Sequence, residues 1–259
     1  RGNEDNVWTH YDGLEDLTLI ENFQLKEGDY QEYLDFVDFY SQPGHTLEEF
    51  NEVMDVEEYT NMMITNIYQS NTDFPGNNNV MWKPMVEGGR WRFIIKDVDR
   101  AFGIWGNSSS QQYLNWVTRM PSDIGSNESA NSEEATQLFR SLMEIPEYRD
   151  MFIDRFSVYM GDFLNASYIN SWIDWYHEQM EPEWDYFHTL YSINNKGGWE
   201  NEINRMKKWT GERTDNMYKQ LKDYFSLGSL VSAKVNESVS SASYYNITIN
   251  GVPLTKGVL

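Results

Sequence analysis

The chain has 259 residues, a net charge of -21 from 41 acidic and 20 basic residues, 15% aromatics and no cysteine. It is long enough for one large core or one domain with an appendage, and at 40% hydrophobic residues it is not a disordered chain. The charge repels nucleic-acid phosphates and anionic membrane surfaces, which argues against DNA, RNA and lipid partners. The missing cysteine excludes disulfides, thiolate zinc sites and cysteine nucleophiles. No apolar run approaches the roughly 20 residues that span a bilayer, so no membrane insertion is expected. Residues 1–30 carry no basic-then-apolar leader pattern.

Helical signals dominate residues 28–226. Thr46 with Glu49 and Asp55 with Glu58 are capping-box patterns, the second opening an amphipathic stretch through Met62, Met63 and Ile67. Val80 to Met85 and Trp91 to Ile95 are short apolar runs separated by Glu87-Gly88-Gly89, which predicts a β-hairpin inserted into a helical domain. Ser108 to Ser132 is a polar stretch, expected to be a loop. Asn131 with Glu134 is expected to open a helix, Pro146 suits a first helical position, and Ser167 is expected to cap a helix through Trp172 and Tyr176. Trp199 to Trp209 and Thr214 to Phe225 are expected to form two further helices. Trp172 and Trp209 fall at helical spacing among apolar partners, which predicts core burial. After Gly228 the composition turns to Ser, Val and Tyr, and Ile247-Thr248-Ile249 runs into the hairpin pair Asn250-Gly251. Residues 228–259 are therefore expected to be a β-rich tail or the start of a second module. The expected fold is mainly α with a small β-hairpin, an α+β arrangement.

The chemistry concentrates between residues 71 and 103. Asp73 and Asn78 have the D-x4-N spacing of a kinase catalytic loop, in which the aspartate receives the substrate hydroxyl proton and the asparagine holds a metal ion. The hairpin follows, and then Asp97-Val98-Asp99-Arg100-Ala101-Phe102-Gly103. The physical demand behind this order is charge. A transferring phosphoryl group is strongly anionic, divalent cations neutralise it, and hard cations take oxygen ligands. Asp97 and Asp99 do not fit a calcium loop, because Ala101 takes the third ligand position and Gly103 falls one place late. Two carboxylates at i, i+2 share a face in an extended segment, so they want either a cation or an arginine; Arg92 and Arg100 are both available.

Asn77-Asn78-Asn79-Val80-Met81-Trp82-Lys83-Pro84, Gly89-Arg90-Trp91-Arg92-Phe93 and Asp97-Val98-Asp99-Arg100-Ala101-Phe102-Gly103 together resemble the core of the spore coat protein H (CotH) kinase family. Glu27-Gly28-Asp29, Phe152-Ile153-Asp154-Arg155-Phe156, Trp199-Glu200-Asn201-Glu202-Ile203 and Glu212-Arg213 extend the likeness over roughly residues 15–226. The resemblance implies an atypical protein-kinase-like fold that uses ATP and Mg2+ or Mn2+ to phosphorylate protein Ser or Thr, in an extracytoplasmic setting. It implies Asp73 as the catalytic aspartate, Asn78, Asn79 and Asp97 as nucleotide-binding residues, and Asn78, Asp97 and Asp99 as metal ligands. The partners implied are a protein substrate and an amino-terminal lobe of the same chain. Residues 1–27 are too short to supply such a lobe with its strand lysine, and Lys26, Lys83 and Lys96 are the lysines before residue 100. Residues 1–227 are thus expected to be the carboxy-terminal catalytic lobe, with little activity by themselves.

Two other function classes stay in view. A kinase-like scaffold without catalysis, serving as an extracellular adhesion or protein-binding module, fits the same residues. The 10 tryptophans also permit stacking on sugars. A zinc site from His177, Glu181 and His188 is disfavoured because the sequence lacks H-E-x-x-H, and neither the G-x-S-x-G elbow nor a P-loop is present.

Overall fold

The computed structural model describes residues 16–120, 131–192, 196–232 and 247–254. The described residues form two compact units, one from 16–101 with 112–152, the other from 102–111 with 153 onward. The fold is mainly helical with a small antiparallel sheet, as the periodicities predict.

In the first unit, β1 (Leu17–Glu21) and β2 (Gln24–Glu27) are joined by Asn22-Phe23, both at positive φ, the geometry of a type I′ hairpin turn. The predicted hairpin is β3 (Asn79–Pro84) with β4 (Arg92–Ile95). The sheet order is β2-β1-β3-β4, antiparallel throughout. The hairpin is thus half of a four-stranded sheet rather than an isolated insertion. Leu17, Leu19, Val80 and Trp82 make one buried face of it, with Ile94 packed against them.

The helices of this unit are α1 (Tyr30–Ser41), α2 (Leu47–Val53), α3 (Val56–Gln69), α4 (Tyr113–Thr118) and α5 (Glu133–Met143). The Thr46–Glu49 capping box is complete. The Asp55 box is only half made: Asp55 accepts from the Glu58 amide, but the Glu58 carboxylate turns to Arg92 (3.0 Å) and the Phe93 amide (3.4 Å) on β4. A charged partner across the sheet outcompetes the local cap. Tyr59 of α3 meets Phe93 at 4.7 Å between ring centroids, and Phe36 of α1 stacks on Trp91 at 5.4 Å. Helix α4 lies inside the stretch expected to be loop, because Tyr113, Leu114 and Val117 bury one face; residues 121–130 of that stretch lie outside the described residues. Ser132, not Asn131, caps α5, and Asn131 instead reaches the Trp116 carbonyl at 3.4 Å.

Helix α6 (Pro146–Asp162) begins at the predicted proline and contributes its later turns to the second unit. There α7 (Ala166–Met180) is capped by Asn165 rather than Ser167, and α8 (Trp184–Tyr191) follows. The two helices expected across residues 199–225 are one, α9 (Lys196–Phe225). Gly211 does not interrupt it, because Trp209, Arg213, Met217 and Leu221 are buried on either side and tertiary packing overrides a single weak helix former. Trp209 is buried as predicted. Trp172 is not: it is 39% exposed, on a helix with no buried residue. Near the carboxy-terminal end, β5 (Thr248–Ile249) pairs with β6 (Val252–Pro253) around Asn250-Gly251, both at positive φ. Residues 233–246 and 255–259 of the expected β-rich tail lie outside the described residues. No helix among the described residues is long and apolar enough to cross a membrane.

Candidate active site

Asp73, Asn78, Asp97, Asp99 and Arg100 all belong to the first unit, on two loops that flank the β3–β4 hairpin. Local chemistry fixes the first loop. Ser70 ends α3 in the left-handed conformation. Fully buried Asn71 donates from its side chain to Asn66 (3.0 Å) and accepts from the Asp73 amide (3.3 Å). The Tyr113 hydroxyl donates to the carbonyls of both Asn71 and Phe74. The Phe74–Pro75 peptide is cis, and the Asn77 amide closes a turn onto the Asp73 carbonyl at 2.8 Å.

The second loop leaves β4 through Asp97, whose φ is 48°, and Asn78 at the start of β3 is also left-handed, with φ 58°. Such angles are uncommon outside glycine and tolerated best by Asn and Asp. Three contacts tie the loops together. The Asn78 side-chain amide donates to the Asp97 carbonyl at 3.2 Å. The Thr72 amide donates to the Arg100 carbonyl at 3.2 Å. Arg100 Nε stands 3.1 Å from an Asp73 carboxylate oxygen. The two loops are therefore joined at one end of the hairpin, and Asp73, Asn78 and Asp97 are brought to it.

Asp97 and Asp99 are exposed, and the two arginines weighed as their partners are engaged elsewhere, Arg92 with Glu58 and Arg100 with Asp73. Among the described residues neither Asp97 nor Asp99 has an ion-pair partner. Asn78 uses its amide nitrogen on Asp97, which leaves its amide oxygen as an acceptor. Asn79 is buried, exchanges backbone and side-chain bonds with Asn22, and keeps its side-chain oxygen buried with no hydrogen-bond partner. Oxygen donors of this kind suit a hard divalent cation. Among the described residues, however, no three His, Asp or Glu side chains converge on a metal position. Magnesium and manganese take oxygen ligands of this kind together with water and phosphate oxygens. Phe102 and Gly103 of the motif belong to the second unit, where the Phe102 carbonyl accepts from Arg205 at 2.8 Å and Gly103 packs against Trp209.

Sequence reasoning did not single out Glu21 or Asn22. Asn22 sits at the same end of the sheet through its bonds to Asn79, and Glu21 pairs with Lys96. Nothing in the local pattern announces that residues 17–21 pair with 80–84. His177 bonds Glu200 at 2.9 Å.

No curated protein matches the chain. The profile of the family described as CotH kinase protein matches residues 8–217, most of the 259-residue chain, and on that match the chain belongs to the CotH kinase family.

Proposed function

We propose that this chain carries the phosphotransfer site of a protein Ser/Thr kinase of the CotH family, acting outside the cytoplasm on a protein substrate. The observation that carries the reading is the joining of the two loops at one end of the hairpin, through Asn78 to Asp97 and Arg100 to Asp73. Bound ATP with magnesium or manganese supplies the phosphoryl group and neutralises its charge. Asn78, through its amide oxygen, and Asp97, with Asp99 beside it, hold the cation. Asp73 orients the acceptor hydroxyl and takes its proton as the new oxygen–phosphorus bond forms and the bond to the departing ADP oxygen breaks. Arg100 fixes the Asp73 carboxylate for that role.

Titration calorimetry of the full-length protein with ATP and Mn2+ tests this. Manganese-dependent ATP binding that is lost in Asp97→Ala is the expected result. In the full-length protein, Asp73→Ala should abolish phosphate transfer while metal binding survives. ATP binding absent at every manganese concentration would overturn the reading and leave a kinase-like scaffold.

A further inference from the structure

Strand register places Glu21 opposite Val80 and Val80 opposite Ile94, so these three share one face of the sheet. Lys96 lies two residues beyond Ile94, on the same side, and its ammonium rests on the Glu21 carboxylate. The lysine side chain is only 12% exposed and that of Glu21 28%. Lys96 immediately precedes Asp97 in the chain, and Glu21 immediately precedes Asn22, which bonds Asn79. A half-buried ion pair thus stands beside the joined loops, at the end of an apolar sheet face. As a device for stability such a pair is poor: desolvation of two charges consumes most of their attraction, and apolar residues would hold the strands as well. Its position favours another use. In a chain of net charge -21, a phosphate needs a cation at hand. Lys83 lies toward the end of β3 away from the joined loops, and Arg100 is the residue that fixes the Asp73 carboxylate, whereas Lys96 adjoins Asp97 itself. Lys96 combines a flexible stem with a compact ammonium that exchanges one oxyanion for another.

We propose that Lys96 is a phosphate-contacting residue, held ready on Glu21 and transferred to the phosphate oxygens of a nucleoside triphosphate bound at Asn78 and Asp97. The inference rests on the kinase reading above. It assigns the phosphate-binding cation to the residue between β4 and the aspartate proposed to hold the metal.

The test is calorimetric titration of the whole chain with Mn·ATP, beside Mn2+ binding alone followed by electron paramagnetic resonance. Lys96→Met should weaken Mn·ATP binding by roughly tenfold or more, the scale of a lost charge-assisted contact, while Mn2+ affinity stays as in the wild type. Lys96→Arg should retain most of the affinity, and Glu21→Gln, which frees the ammonium, should keep or tighten it. Wild-type binding of Mn·ATP with an equal affinity in Lys96→Met would overturn the role of Lys96 and leave the kinase reading standing. Loss of nucleotide affinity in Glu21→Gln would also overturn it, because the pair would then be a structural clamp; this variant decides the matter if Lys96→Met does not fold. No Mn·ATP binding by the wild type would remove both.

Discussion

Arg100 holds Asp73 twice over: its guanidinium stands 3.1 Å from the carboxylate, and its own carbonyl accepts from the amide of Thr72, the preceding residue. The aspartate is thereby fixed to the segment that carries Asp97 and Asp99. Half of the Arg100 side chain is exposed, so the ion pair contributes little to stability. A double-mutant cycle of Arg100→Ala with Asp73→Ala should give a coupling below about 1 kcal/mol in thermal unfolding. On the proposed role of Asp73, Arg100→Ala should reduce phosphate transfer far more than stability, because Asp73 would lose its one fixed orientation. Equal proportional losses in both would remove the positioning role of Arg100.

The glycines divide sharply. Gly103 has a φ of +73°, and a Cβ there would lie 2.4 Å from the Trp209 ring and 2.7 Å from the Asn107 carbonyl oxygen. Gly103→Ala should cost about 1–3 kcal/mol in chemical denaturation. Gly211 lies within α9 with open space around its Cα. Gly211→Ala should stabilise by roughly 0.4–1 kcal/mol, by narrowing the unfolded ensemble.

Much of the fold is written in local pattern. The hairpin of β3 and β4 follows from alternation around Glu87-Gly88-Gly89, and the start of α6 from Pro146. The candidate site was legible because its members lie within thirty residues of one another and the D-x4-N spacing has a chemical meaning. What escaped was set by distant partners. The pairing of β1 with β3 joins residues 59 to 67 positions apart, so the ion pair of Glu21 with Lys96 could not be foreseen. The Asp55 cap was readable, but the diversion of Glu58 to Arg92 was not. One long α9 replaces two predicted helices because burial of Trp209 and Arg213 carries it through Gly211.

Two tryptophans should behave oppositely. Trp91 is 2% exposed and stacks on Phe36, whereas Trp172 is 39% exposed on α7. Trp91→Ala should cost about 3–5 kcal/mol and Trp172→Ala under about 1 kcal/mol, read from denaturant midpoints. Comparable losses would mean that the α7 face is covered in solution.

Alkali should unfold the first unit early. Burial pushes the Tyr40 phenol up to about 12, and burial also raises Tyr33 and Tyr59 above their ordinary value of 10.0. The fold therefore holds these groups neutral. Below pH 10 their contribution is intact; from pH 10 to about 12 the unfolded chain releases protons that the folded chain keeps, and stability falls. Circular dichroism with phenolate absorbance should show unfolding and ionisation rising together above pH 10. Ionisation of these tyrosines near pH 10 with the fold unchanged would contradict their burial.

Paramagnetic broadening by Mn2+ in the presence of ATP, read on the assigned backbone amides, tests the candidate site most directly. If the joined loops hold the metal–phosphate cluster, substoichiometric Mn2+ will first erase the amides of Thr72 to Phe74, Gly76 to Asn79 and Lys96 to Arg100, omission of ATP will raise the Mn2+ needed for the same loss, and Asp97→Ala will restore them. Broadening that begins elsewhere, or that spreads evenly over the acidic surface and ignores Asp97→Ala, would contradict a metal-dependent phosphotransfer site at Asp73, Asn78 and Asp97.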